Sequence, residues 1–250
     1  NAISHMNNNL PVFLNKENKT IIALKELEEI LAIDSIKRID IFDNSHTSGS
    51  NKVSAMVVFT NGLPDKNEYR KYKIKTIETA DDYAMMKEVL YRRYQAVLME
   101  GLDKPDLIIV DGGLIQLRAG KAVLSDLNLQ IPLIGLKKND RHKTEAIIND
   151  SEDEILLDKS SNLYSLLYKM QEEVHRFAIS FQRNVASKAI YGSILDTIPK
   201  VGEVTKNKLL KKYKTLDNIK NAPREELKML KISEEAIDNI YMALQSFQEK

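Results

Sequence analysis

Apolar residues recur at three-to-four spacing between 18 and 33, where Ile21, Leu24, Leu27 and Leu31 define one face, and the spacing predicts an amphipathic helix. Three short runs rich in β-branched and aromatic residues follow, at Ile36–Asp43, Val53–Phe59 and Tyr69–Lys75. Gly49 and Asn61-Gly62-Leu63-Pro64 separate them as turns between antiparallel strands would. Asp81 or Asp82 caps a helix reaching about Leu98, with Met85, Val89 and Leu90 on its apolar face. Asp106-Leu-Ile-Ile-Val-Asp111 is an unbroken apolar run too short for a helix, which predicts a central strand buried on both faces and parallel to a neighbour. A helix from Gln116 to Leu127, a second buried strand at Pro132–Leu136, a polar stretch with a hairpin between Lys137 and Asp158, and a long helix from Ser160 to about Ser187 complete this part.

That order predicts an α/β domain, a mixed sheet with helices on its faces. Beyond Tyr191-Gly192 the strand-like runs stop, and short helices are punctuated by Pro199, Gly202 and Pro223. The chain therefore divides into an expected cloning remnant at 1–6, a domain over 7–190 and a small all-α domain over 191–250. Asn1–Met6 reads like the scar of a removed tag, so His5 carries no functional weight.

Composition narrows the classes. At 250 residues with 43 % hydrophobic and 29 % charged side chains, the chain can bury a sizeable core. The absence of cysteine removes disulfides and thiolate zinc sites. No apolar run approaches 18 residues, so a soluble, cytoplasmic protein without a membrane partner is expected. The net charge of +1 means that a nucleic-acid partner has to be held by local basic patches.

Asp43 and Asp111 end predicted strands, where ligands of open sheets bind. If the strands are neighbours, two carboxylates about 4 Å apart repel by roughly 4 kcal/mol at an effective dielectric near 20 and require a shared proton or a cation. Their oxygens suit Mg²⁺ or Mn²⁺, which in such a place activates water and stabilises the attacking and leaving oxygens of a phosphoryl displacement. Taken singly, an aspartate at a strand end is most often a turn or cap residue, and neither one alone carries the metal reading.

Phe42-Asp43-Asn44-Ser45-His46-Thr47-Ser48-Gly49 resembles a signature of the UvrC family, a component of the excinuclease of nucleotide-excision repair. Asp81-Asp82-Tyr83 with Arg92-Arg93-Tyr94, Pro105–Gly113 with Gln116-Leu117, and Glu173-Val174-His175-Arg176-Phe177-Ala178 are similar to that family in order and spacing. The resemblance covers the family's C-terminal half, without its GIY-YIG nuclease half. It implies a ribonuclease H-like endonuclease domain that makes the 5′ incision beside a lesion in damaged double-stranded DNA. Catalytic positions map onto Asp43, Asp111, His175 and, in the acidic pair, Asp82, with Asp43, Asp111 and His175 as metal ligands. The implied protein partner is UvrB, through the absent half. His46 is expected to line the site. The sequence departs from the family pattern at Asn44, Leu114-Ile115, Gln171 and Gln182, none of which is expected to touch the three ligand residues.

From Pro199 to Lys214 six lysines face one acid, Glu203. Ile198-Pro199-Lys200-Val201-Gly202 followed by a helix resembles the first hairpin of a tandem helix-hairpin-helix, with Lys200, Val201, Gly202, Lys206, Lys208 and Lys211 as expected DNA contacts. The second turn, Leu230-Lys231-Ile232-Ser233, lacks glycine and is expected to hold phosphate less closely. Lys137, Lys138, Arg141 and Lys143 fit either a DNA groove or a solvated loop, Asp150–Glu154 fits a solvated turn, and the tyrosines and phenylalanines form no stripe suited to stacking single-stranded bases. A DNA-binding scaffold without cleavage, and a ribonuclease H-like enzyme acting on hybrids or junctions, are the competing readings.

Overall fold

The computed structural model describes residues 2–45, 52–76, 81–139 and 143–245, with side chains from residue 15 onward except 16. Contacts divide the chain into two compact units, 1–182 and 183–250. The division falls inside one continuous helix, and the boundary expected near 190 lies in that same helix.

Unit 1 begins with helix α1 (Ala2–Leu31), which starts earlier than its apolar periodicity. Strands β1 (Arg38–Ser45) and β2 (Val53–Thr60) pair antiparallel. Asn61 and Gly62, both with positive φ, turn the chain into the two-residue strand β3 (Leu63–Pro64), and β4 (Arg70–Lys73) pairs with the other half of β2. Helix α2 (Asp82–Glu100) is capped by Asp81, whose side chain accepts from the Ala84 N–H, and is closed by Gly101 at φ 63°. Then follow β5 (Leu107–Val110), α3 (Leu114–Asp126), β6 (Leu133–Lys138), β7 (Thr144–Ile148), β8 (Glu154–Leu156) and α4 (Asn162–Asp196).

The sheet runs β3-β2-β1-β5-β6-β7-β8, with β4 attached to β2. Its centre, β1-β5-β6, is parallel. All four residues of β5 are buried, as a strand covered on both faces requires. Ile39, Ile41, Leu107 and Ile109 join Leu27 of α1 and Leu163, Leu167, Met170 and Val174 of α4 in one core. Phe42, Ile108 and Val110 face the other core, with Met86, Val89 and Tyr94 of α2 and Val123 of α3. Strand β7, which sequence patterning leaves inside a polar hairpin, also buries Ala146, Ile147 and Ile148.

Unit 2 holds the end of α4 and helices α5 (Glu203–Tyr213), α6 (Leu216–Lys220), α7 (Arg224–Met229) and α8 (Glu234–Leu244). Leu195, Leu209, Leu216, Leu227, Ile237 and Ile240 form its core. Its two turns are built alike. Lys200 and Lys231 adopt φ 67° and 58°, and the next residue, Val201 or Ile232, is buried in the core.

Candidate active site

The parallel pairing of β1 with β5 sets Phe42 opposite Val110, and the Asp111 N–H continues the ladder by donating to the Phe42 carbonyl at 2.8 Å. Asp43 and Asp111 are therefore adjacent at the ends of neighbouring strands, as the sequence predicts. Strand alternation turns both toward the α4 face, beside Ile41 and Ile109. Behind them β6 comes close: a Cβ on Gly135 would lie 2.8 Å from the Gly112 carbonyl.

Helix α4 brings the third group. The His175 Nδ1 lies 3.1 Å from Asp43 Oδ2. Ligand atoms of Asp43, Asp111 and His175 all lie within 4.8 Å of one another, and they form the one such group among the described residues. Opposite ligands of a small divalent ion with bonds of ~2.1 Å stand about 4 Å apart. Two carboxylates and an imidazole of this spacing fit a divalent cation after small side-chain rotations.

Three neighbours finish the site. Lys138 Nζ donates to Asp111 Oδ2 at 3.0 Å, and Gln171 Nε2 donates to Asp111 Oδ1 at 2.5 Å. The buried Thr144 hydroxyl in turn donates to Gln171 Oε1. Gln171 is thus a correction, because it was expected to touch none of the three ligand residues and instead fixes one of them. Placed four residues before His175, it occupies the same face of α4. Thr144 was missed altogether, and only the β6–β7 pairing brings it here. Burial and the nearby Asp43 charge raise the Asp111 carboxyl above its ordinary range, against the pull of Lys138 and Gln171. The hydrogen bond to Asp43 raises His175.

Asp82 is exposed in the first turn of α2, and its carboxylate is outside this group; its backbone carbonyl accepts from Asn44 Nδ2 at 3.2 Å. Gln182 accepts from the Ser45 hydroxyl at 3.1 Å. His46 and Arg141 lie outside the described residues. Lys137 pairs with Glu154 at 2.7 Å.

In unit 2, Gly202 caps α5 with no side-chain hydrogen bond, whereas Ser233 caps α8 by accepting from the Ala236 N–H. The Val201 N–H is engaged by the Ile198 carbonyl. Lys200 pairs with Glu235, Lys206 with Asp196 and Glu203, and Lys212 with Glu226. Lys208 donates to the Leu230 carbonyl, and Lys211 is exposed. The patch is therefore less positive than a count of lysines suggests.

Residues 28–179 match the family model "UvrC RNAse H endonuclease domain", more than half of the chain. The chain belongs to the UvrC family. Residues 193–246 match the "SAM-like Helix-hairpin-helix tandem" model. Among UvrC relatives, the UvrABC system protein C of Malacoplasma penetrans is 46 % identical over 92 % of this chain and 39 % of the relative. That of Streptococcus thermophilus is 49 % identical over 86 % of this chain and 37 % of the relative. The chain thus spans about two fifths of the length of these UvrC proteins. Crystallised human ENDOV is similar with a TM-score of 0.36 at 12 % identity, over 62 % of this chain and 88 % of that one. The α/β fold with its mixed sheet is the ribonuclease H-like one of the UvrC endonuclease domain, followed by a tandem helix-hairpin-helix. Among the described residues no helix is long and apolar enough to cross a membrane.

Proposed function

We propose that this chain is a divalent-metal-dependent DNA endonuclease of nucleotide-excision repair, cutting on the 5′ side of a lesion in duplex DNA. The convergence of Asp43, Asp111 and His175 carries the reading. Those residues would hold Mg²⁺ or Mn²⁺, and the ion would supply activation of water and charge stabilisation at the phosphate. The chain's own residues do the rest. The sheet ladder fixes both carboxylates, Gln171 orients Asp111, and Asp43 orients the imidazole through Nδ1. Lys138 supplies a cation beside the position of the scissile phosphate.

The uncapped start of α5 at Gly202 offers backbone N–H groups to a DNA phosphate, while Ser233 fills the matching position of the second hairpin. The first hairpin therefore carries the closer backbone contact, and Lys211 lies exposed in the last turn of the same helix. In a longer protein containing a GIY-YIG nuclease half, UvrB would be met through that half. Asp82, at the start of α2, would act at the rim of the site. The cytoplasm is the proposed location.

Strand cleavage of a nicked or bubbled duplex with Mn²⁺ tests the assignment. Asp43→Ala should abolish incision while leaving the melting temperature and DNA affinity nearly unchanged. Undiminished metal-dependent cutting by that variant would refute it, and binding without cleavage by the unaltered chain would leave a DNA clamp.

A further inference from the structure

The edge of the sheet beside β2 is basic. Between 65 and 76 the chain carries five basic and two acidic side chains, and Lys71 and Lys73 of β4 are exposed. Lys71 stands opposite Ala55 in the ladder, and Ala55 stands opposite Asp43. Antiparallel partners project to the same face, so Lys71 and Asp43 belong to one row across the sheet, two strand spacings or about 10 Å apart.

Lys71 is held there in an unusual way. Its ammonium lies 4.8 Å from the ring centre of Phe177 and 5.5 Å from that of Phe181, both on α4 just beyond His175. Tyr69 packs edge-on against Phe177 at 5.0 Å and donates to Glu173, which fixes the ring. A ring face attracts a cation without consuming its N–H donors or cancelling its charge. Lys137, Lys206 and Lys212, by contrast, meet carboxylates. Lys71 is positioned, exposed and, among the described residues, not neutralised by a carboxylate, which are the properties of a phosphate-binding cation.

Resting on the nuclease reading, we propose that Lys71, braced by Phe177 and Phe181, binds the backbone phosphate neighbouring the one that is cut. The substrate strand then runs from Lys71 past the exposed side of the Asp43–Asp111–His175 group toward Lys138 on β6. This contact sets which bond of a bound strand meets Asp43 and Asp111. The aromatics serve by holding an ammonium and not by stacking bases, which is why they form no stripe in the sequence.

The test is a phosphate scan. Nicked duplexes carry one neutral methylphosphonate at each position flanking the cut, and incision with Mn²⁺ is measured for the unaltered chain, Lys71→Gln and Lys71→Arg. The unaltered chain should lose about five- to tenfold in kcat/KM at one flanking phosphate. Lys71→Gln should lose as much on the normal duplex, through KM, and be indifferent to neutralisation at that phosphate alone. Lys71→Arg should behave as the unaltered chain does. In metal-free binding, the slope of log affinity against log salt should fall by about 0.9 in Lys71→Gln. An unchanged scan together with an unchanged slope overturns the proposal. If the unaltered chain binds but does not cut, the nuclease reading fails and the slope alone decides for or against Lys71.

Discussion

Replacing Lys138 by methionine separates two roles of the charge beside Asp111. In the absence of a cation, Lys138 is the ammonium that offsets the burial of that carboxylate at 3.0 Å. A charge-assisted hydrogen bond contributes about 1.5–3 kcal/mol. The Lys138 side chain is 32 % exposed, so solvent screening reduces this to about 1–2 kcal/mol. With 2–4 °C per kcal/mol for a domain of this size, Lys138→Met should melt roughly 2–8 °C lower in chelator. A divalent ion competes with Lys138 for the same oxygen, so losing the competitor should tighten Mn²⁺ binding by about five- to thirtyfold. Calorimetric melting in chelator and across a Mn²⁺ titration reads both effects. An unchanged Mn²⁺ dissociation constant, alongside the lower melting temperature in chelator, would refute the competition and with it the assignment of Asp111 as a ligand.

Gln171→Leu strands the Thr144 hydroxyl and Asp111 Oδ1, both buried, and should cost about 2–4 kcal/mol in urea unfolding; a loss below 1 kcal/mol would deny the network its role. Glu88 accepts from the Lys75 and Thr76 N–H groups, the Thr76 hydroxyl and Arg92. Partial burial pushes its carboxyl up, but these bonds prevail and hold it below the ordinary 4.5. The stability it confers is therefore present above that value and lost as pH falls through the lower native one, and Glu88→Gln should flatten the dependence of the urea midpoint between about pH 5 and 3. An acid slope equal to that of the unaltered chain counts against this. Lys231 sits in the left-handed region at roughly 1–2 kcal/mol, part of which glycine gives back as chain entropy. Lys231→Gly should stabilise unit 2 by about 0.5–1 kcal/mol in thermal melting, and a lowered melting temperature would show the turn to be unstrained.

The convergence of Asp43, Asp111 and His175 was legible because each sits where local pattern is strong. Asp43 and Asp111 end apolar runs, and His175 lies in a matched helical string. The strands around them were legible for the same reason, since a doubly covered strand such as Leu107–Val110 has an unmistakable composition. Thr144 left no such trace, and Lys138 and Gln171 stood out only as a possible groove lysine and a departure from the family pattern. Each is an ordinary polar residue whose meaning comes from the β6–β7 register and from the rotation of α4 against the sheet. Lysines 206 and 212 show the converse: charge counted along the chain takes no account of Asp196 and Glu226, which fold back onto them. Lys71 escaped attention because its rings come from a helix 106 positions onward at Phe177.

Two jaws of this centre are bolted to the peptide framework, while the third rides on a cylinder that touches the framework only through side chains. The carboxylates of Asp43 and Asp111 inherit their spacing from the β1–β5 ladder, and no exchange of neighbouring residues can widen it without breaking main-chain pairing. The imidazole, half in solvent, answers instead to the packing under α4, at Met170, Val174 and Ala178. Remodelling those three apolar contacts is thus the means by which the grip of the centre can be retuned while its floor stays fixed.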